Sequence, residues 1–236
     1  MELLDLYEQL KTNAYPGRGI VLGLAPSGKK ALIAYFIMGR SANSRNRVFD
    51  PVEAIGGIRT LAADPAKLED PSLIIYHPVR QMGRGLIVTN GDQTDTILEF
   101  LKQGLPMEQA LRTREFEPDG PNWTPRISGL LGPNGSYKLS ILKAADGTGR
   151  RCLRQTFEYP GQPGTGHFLH TYAGDGDPLP SFAGEPEQVA VEGDIDSLAS
   201  AVWDALDEAN RISLFVRFTD LETRDFQQRI VNKYNR

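Results

Sequence analysis

Hydrophobic positions along this chain recur with two different periods, and the alternation between them predicts its elements. Leu3, Leu4, Tyr7 and Leu10 fall on one face of residues 2–12, a helical spacing that Tyr15-Pro16-Gly17 interrupts. Residues 19–25 (GIVLGLA) and 30–38 (KALIAYFIM) are apolar and partly β-branched, with Pro26-Ser27-Gly28-Lys29 between them, which predicts a hairpin. Residues 72–79 (SLIIYHPV) and 85–89 (GLIVT) predict a second strand pair. Thr94 or Asp95 is placed to cap a helix carrying Ile97, Leu98 and Leu101 and ended by Gly104. Pro106 suits the start of another short helix to about Arg112. Residues 125–131 and 136–143 predict a third hairpin around Gly132-Pro133-Asn134-Gly135.

Further strands are expected at 152–159 and 166–173, and a Gly-, Pro- and Asp-rich loop at 174–188. Ile195, Leu198, Ala199, Val202, Ala205, Leu206 and Ala209 mark a helix over 195–209 with Asp194 or Asp196 as cap. Residues 212–218 (ISLFVRF) predict a last strand, followed by a polar tail that admits a helix. Hairpins outnumber β-helix-β crossovers. That favours an α+β layered fold with mainly antiparallel sheets and helices packed outside. No linker divides residues 1–236, so a single domain is expected.

Composition narrows the function. The 236 residues are 40% hydrophobic and 24% charged, as in an ordinary globular protein. A net charge of -4 disfavours a nucleic-acid partner, which calls for a net basic face. A small phosphorylated ligand needs only a local basic cluster. The single Cys152 rules out an internal disulfide and a cysteine metal cage, which suits a reducing, cytoplasmic compartment. The Met-Glu-Leu-Leu-Asp start lacks the basic residues of a signal peptide. No apolar run approaches the roughly 20 residues of a membrane span, so no membrane partner is expected.

Five segments concentrate chemistry. Gly39-Arg40-Ser41-Ala42-Asn43-Ser44-Arg45-Asn46-Arg47 follows an apolar strand. Its guanidinium forks match phosphate oxygens, so it is either an anion clamp at a strand end or a solvated basic loop. Tyr76-His77-Pro78-Val79-Arg80 brings polar groups into an apolar stretch, where unpartnered ones are costly. Tyr76 is a ligand donor or a core phenol with its hydroxyl at the rim, and a histidine such as His77 is more often structural than catalytic. Thr89-Asn90-Gly91-Asp92-Gln93-Thr94-Asp95 precedes a helix whose free N–H groups can meet an anion. Asn90 can read an amide edge; one of Asp92, Thr94 and Asp95 serves as a cap.

In the fourth segment, Glu115 to Arg126 (EFEPDGPNWTPR), three prolines stiffen a loop holding carboxylates, an amide, an indole and a guanidinium. In the fifth, Pro163 to Tyr172 (PGTGHFLHTY), Gly164 and Gly166 allow close approach. His167 is the better ligand candidate there; His170 points to the opposite face. The ligands needed for a metal site do not converge. Gly23 to Lys30 has Gly28-Lys29 but lacks the Ser or Thr of a P-loop, and no dinucleotide fingerprint, nucleophile elbow or zincin motif occurs.

In order along the chain, YPGRGIVLGL, GRSANSRNRVF, LIIYHPVRQ, IVTNGDQTD, FEPDGPNWTPRISGL and PGQPGTGHFLHTY resemble the archaeal-type IMP cyclohydrolase family, over residues 15–175. The resemblance implies an Ntn-hydrolase-like four-layer α-β-β-α sandwich with mainly antiparallel sheets. It does not imply the N-terminal nucleophile, since residue 1 is Met1. It implies closure of the purine ring of FAICAR (5-formamidoimidazole-4-carboxamide ribonucleotide) to IMP with loss of water. The carboxamide nitrogen attacks the formyl group, without metal or organic cofactor. It implies Arg40, Tyr76 and Glu117 as catalytic residues: Arg40 near the reacting groups, Tyr76 as donor to the oxyanion or proton shuttle, Glu117 as general base. Phe116 stands where the family has tyrosine. Ser41, Arg45, Arg47, Asn90, Asn122, Arg126 and His167 are the implied substrate-binding residues, with Arg45 and Arg47 for the phosphate. Residues inserted in the arginine loop leave the division of roles among its arginines open. A homo-oligomer is also implied.

Two alternatives keep the fold: a relative acting on another purine ribonucleotide, and a protein that only binds one. A non-enzymatic scaffold of the same shell is a third, disfavoured by the presence of Glu117 and Tyr76. An amidohydrolase of the nucleophile type is a fourth and needs a processed N-terminus.

Overall fold

A computed structural model describes residues 3–234. Helix α1 (Leu6–Thr12) starts four residues later than its hydrophobic pattern, because the Asp5 carboxylate accepts from Tyr7 N and Glu8 N at 2.8 and 3.3 Å. Leu4 instead forms a bridge to Val189; Glu2 and Met1 lie outside the described residues. The first hairpin, β1 (Arg18–Leu24) and β2 (Lys30–Met38), forms as expected. Then come α2 (Ala42–Arg45), β3 (Val48–Val52), β4 (Gly57–Leu61), β5 (Val79–Met82) and β6 (Gly85–Thr89). Helices α3 (Gln93–Lys102) and α4 (Met107–Arg112) precede β7 (Arg126–Leu131), β8 (Tyr137–Ala144), β9 (Cys152–Tyr159), β10 (Thr165–His170) and β11 (Glu187–Ala190). Helix α5 (Ile195–Ala205), β12 (Arg211–Asp220) and β13 (Phe226–Asn232) complete the described chain.

Every pairing between named strands is antiparallel, in two sheets of order β11-β10-β1-β2-β12-β13 and β3-β4-β5-β6-β7-β8-β9. The fold is therefore α+β. The period of two in each strand decides what lies between the sheets. Ile33, Tyr35 and Ile37 of β2 pack with Val88, Ile127 and Leu139 from the other sheet, while Leu32, Phe36 and Met38 join Leu6, Leu10, Leu198 and Val202 of α1 and α5. This two-sided burial explains why β2 reads as an unbroken apolar run. On the seven-stranded sheet, Ile87 and Leu142 pack against Ile97, Leu98, Met107 and Leu111 of α3 and α4. Among the described residues no helix is long and apolar enough to cross a membrane.

Several expectations need correction. The strand predicted at 72–79 begins only at Val79. Pro71 and Pro78 have no N–H to give a ladder, and Ile74 N and Ile75 N fold back to Pro71 O at 3.1 and 2.9 Å. The polar tail is strand β13 rather than helix, paired with β12. The loop expected over 174–188 ends in β11, and the prediction passed over β3 and β4. Helix α3 starts after Asp92, not at Thr94 or Asp95. Helix α5 stops at Ala205 because Leu206 is extended (ψ 141°); its Asp194 cap is as expected, accepting from Ser197 N at 2.8 Å.

Candidate functional site

The ends of β1, β2, β6, β7, β8 and β10 meet at one edge of the paired sheets, where charged side chains enter the interior. Arg18 opens β1 and is 8% exposed. Gly17 before it has φ +77°, and Thr171 Oγ1 lies 2.3 Å from where a Cβ would stand, so only glycine fits this approach. Thr171 Oγ1 accepts from Arg18 N at 3.1 Å. The Arg18 guanidinium thereby comes within 4.0 Å of the Glu117 carboxylate, itself 2% exposed.

Glu117 belongs to the proline-rich segment before β7. Its N–H donates to Thr124 O at 2.9 Å. Asp119 fixes the same turn, accepting from Thr124 N at 2.7 Å and from the Thr124 hydroxyl. Trp123 adopts φ 45°, an uncommon conformation for a bulky residue, and packs edge-on against Phe116. The segment is thus a rigid support for one buried carboxyl group.

Arg47 lies between α2 and β3 with no measurable exposure. Its Nε donates to Ser44 O at 2.7 Å and its Nη2 to Met38 O at 3.3 Å. Arg47 Nη1 and Arg18 Nε are buried with no hydrogen-bond partner among the described residues. Tyr76 is reached from β4: its N–H donates to Thr60 Oγ1 at 2.8 Å, and its hydroxyl lies 2.9 Å from that of Tyr35 on β2. Tyr172 completes the group, its hydroxyl 2.5 Å from Thr124 Oγ1 and its ring stacked on Tyr15.

The electrostatics follow from burial. Desolvation pushes the Glu117 carboxyl above its ordinary range, although Arg18 and then Arg126 oppose it. For Arg18, desolvation works against the charge, but Glu117 and the surrounding phenols outweigh it and keep the guanidinium protonated. Desolvation and the Arg18 charge together depress Arg47. Burial raises Tyr76 and Tyr35, and Tyr172 to about 12. Two buried guanidiniums thus share one nearby carboxylate, and two of their N–H donors lack acceptors. Such a site favours an anion or an oxygen that develops negative charge.

Of the residues singled out from sequence, Tyr76, Glu117 and Arg47 meet in this cluster. Arg126 flanks it: it is buried, and its Nη1 donates to Asp92 Oδ1 and Gln93 Oε1, both at 2.8 Å. Arg40 stands at the rim, with Nη1 2.5 Å from Asp175 Oδ1 and its guanidinium over the Tyr15 ring at 5.2 Å. Ser41 caps α2, accepting from Ser44 N at 3.1 Å. Arg45 turns away, donating to Gly39 O and Asn210 Oδ1, and lines a separate cavity of about 600 Å³ with Lys67 and Tyr234.

Asn90 is spent on the backbone: Nδ2 donates to Pro125 O at 2.8 Å and Oδ1 accepts from Ile127 N at 2.9 Å. Asn122 Oδ1 accepts from Leu179 N at 3.0 Å. His167 lies toward the other end of β10, stacked on Tyr159 with Nδ1 2.7 Å from Tyr137 OH, and burial pushes it down to about 4. The sequence reading did not single out Arg18, Tyr35, Asp119, Thr124 and Tyr172, although the last three lie in segments it marked. Arg18 had a signal, a lone charge opening a strand that is otherwise apolar. Tyr35 had none, because a tyrosine in an apolar strand is usual core.

Residues 15–224 match the model of a family described as IMP cyclohydrolase-like protein. The chain belongs to this family. Among its relatives is an IMP cyclohydrolase of Halobacterium salinarum, 31% identical over 55% of this chain and 63% of the relative. An IMP cyclohydrolase of Methanococcus maripaludis is 34% identical over 52% of this chain and 61% of the relative. One of Methanococcus aeolicus is 31% identical over 67% of this chain and 74% of the relative. The chain thus spans less than two-thirds of the length of the first two of these relatives. The family match extends to β12, well past residue 175, so it includes α5 and the loop after β10.

Proposed function

We propose that this member of the IMP cyclohydrolase-like family closes the ring of FAICAR to IMP, releasing water. The observation that carries the reading is the buried Arg18–Glu117 pair beside Arg47 and the Tyr35–Tyr76 hydroxyl pair. Ring closure needs a proton acceptor for the attacking carboxamide nitrogen, and Glu117 has the raised proton affinity suited to accepting there and returning the proton to the departing hydroxyl. It needs donors for the charge that grows on the formyl oxygen. Tyr76, relayed by Tyr35, and the unpartnered N–H groups of Arg18 and Arg47 supply them in a water-poor site. Holding the amide and formyl groups together contributes several kcal/mol more.

Arg40 would meet the ligand from the rim. Ser41 shapes the arginine loop, and Asn90, Asn122 and Arg126 hold the segments from which the cluster projects. We leave His167 and Arg45 out of the proposed contacts, because both are committed to partners away from Glu117. We further read the helices on the outer faces of the two sheets as the α-β-β-α layers of an Ntn-hydrolase-like sandwich. A cytoplasmic location, a homo-oligomeric assembly and freedom from cofactors complete the reading. Purified protein given FAICAR without added metal is expected to form IMP, followed by ultraviolet absorbance. Turnover no faster than the uncatalysed background defeats the reading.

A further inference from the structure

The loop over residues 173–181 and its stem are held from outside by side chains of three other segments. Arg40 Nη1 donates to Asp175 Oδ1 at 2.5 Å and to Gly176 O at 3.0 Å. Asn122 Oδ1 takes Leu179 N, and Lys143 Nζ donates to Phe182 O at 2.5 Å. The stem of the loop is fixed by Ala173 N to Pro180 O and Phe182 N to Thr171 O, both at 2.9 Å. Its tip is different. Asp175 is 59% exposed, and Gly174 would meet nothing within 4 Å of an added Cβ. Behind the tip lies a cavity of about 450 Å³ lined by Asn13, His170, Gly174, Asp175 and Phe182, which is room to retract.

From Arg40 the contacts run inward without a break. The guanidinium covers Tyr15, Tyr15 stacks on Tyr172, and Tyr172 bonds Thr124, whose carbonyl holds Glu117 N. The buried cluster therefore has this latch on its outer side. Arg40 is the rim arginine best placed for an anionic ligand, and a carboxylate of the chain itself occupies it.

We propose that Asp175 is an internal competitor. Its carboxylate holds Arg40 in place of the phosphomonoester of the ligand, and the tip of the 173–181 loop yields when that ligand binds. This rests on the purine-ribonucleotide reading above. An exposed carboxylate–guanidinium pair contributes little in water, whereas a phosphate brings more charge and three oxygens to the same fork. Asp175 thus sets affinity: it keeps Arg40 oriented and off other anions, and a phosphorylated ligand displaces it.

Asp175→Asn separates charge from shape, because the amide oxygen can still accept from Gly176 N, as Asp175 Oδ1 does at 3.0 Å. Calorimetric titration with IMP is expected to give a Kd about 2- to 5-fold lower for Asp175→Asn than for the wild type. The gain is expected to vanish in an Arg40→Met background. A residue that merely shapes the loop would weaken binding or leave it unchanged on substitution, and either result overturns the proposal. So does a gain that persists without Arg40. If the wild type binds no IMP, the purine-ribonucleotide reading fails. The same comparison with inorganic phosphate as probe then decides the role of Asp175: tighter binding to Asp175→Asn only where Arg40 is present supports it, and no difference overturns it.

Discussion

Polar groups are buried toward both ends of the paired sheets, and the two ends handle them in opposite ways. Around β10 and the start of β8, His167, Tyr137 and Tyr159 stack and hydrogen-bond among themselves, and burial keeps the imidazole neutral. At the other end, the ionisable groups Arg18, Arg47 and Glu117 are buried together, two guanidinium groups to one carboxyl group, with N–H donors left over. The first arrangement is complete in itself. The second leaves Arg18 Nε and Arg47 Nη1 without partners among the described residues, the feature on which the proposed ligand contact rests. Arg217, 3% exposed, lies between the two cases: Gly56 O and Gln228 Oε1 take its two Nη groups and Phe226 covers its face, while its Nε, like that of Arg18, has no partner among the described residues. It ties the edge of one sheet to a turn of the other.

The contrast can be broken most severely at Glu117. Glu117→Gln keeps the shape but removes the proton acceptor, and kcat for FAICAR is expected to fall by about 10²–10⁴-fold. Tyr76→Phe is expected to lower kcat less, and neither variant to raise KM in proportion. Wild-type kcat in both, measured at saturating substrate, would remove their assigned roles.

Next in size is Arg18→Met, which strands the Glu117 carboxylate among apolar groups. Breaking a buried pair in this way costs about 3–5 kcal/mol, read from urea unfolding. The sign of its pH dependence is fixed. Glu117 already has a raised pKa in the folded state, and losing Arg18 raises it further. The folded variant then binds more protons than the unfolded chain. Its penalty is smallest below the ordinary glutamate range and grows as pH rises through the folded value. A penalty independent of pH would mean that Arg18 acts through packing alone.

The smallest effect belongs to the self-contained end. His167 has a folded pKa of about 4 against an ordinary 6.5, so the stability of its neutral form is present above pH 6.5 and is lost as pH falls through 4. Because the ring is partly exposed, this amounts to about 1–2 kcal/mol. His167→Gln is expected to flatten that part of the stability–pH curve and to leave kcat unaltered. A large loss of kcat would bring His167 into the site after all.

Much of the candidate cluster was legible because its residues sit in unusual local company. Glu117 stands in a proline-stiffened segment, Tyr76 beside His77-Pro78, and Arg47 in a run of arginines with serine and asparagine. The prediction did not separate the arginines from one another. Arg40, Arg45 and Arg47 look alike in sequence, but they end at the rim, in a different cavity and in the interior respectively. Within a few residues the chain turns through α2, and that turn sends each side chain in a different direction. Asn90 shows a related limit of local reading: an amide at a strand end suggests a ligand contact, and only the tertiary structure shows that Pro125 O and Ile127 N engage it.

By itself the sequence determined the elements whose signal is local. The β1–β2 and β7–β8 hairpins, the cap and apolar stripe of α5 and the antiparallel character follow from spacing over a few residues, and the ordered segments pointed to the family. The tertiary structure alone decided the rest. Strand β13 has a weak apolar pattern because it lies at a sheet edge with much of its length exposed, so only its partner β12 makes it a strand. Val79 starts a strand and Tyr76 does not, because Thr60, far off in sequence, supplies the hydrogen bonds that Tyr76 needs. The meeting of Arg18, Arg47 and Glu117 is the extreme case. Each charge is costly to bury alone, and no local pattern announces that two strand starts and a loop, far apart in sequence, bring them together.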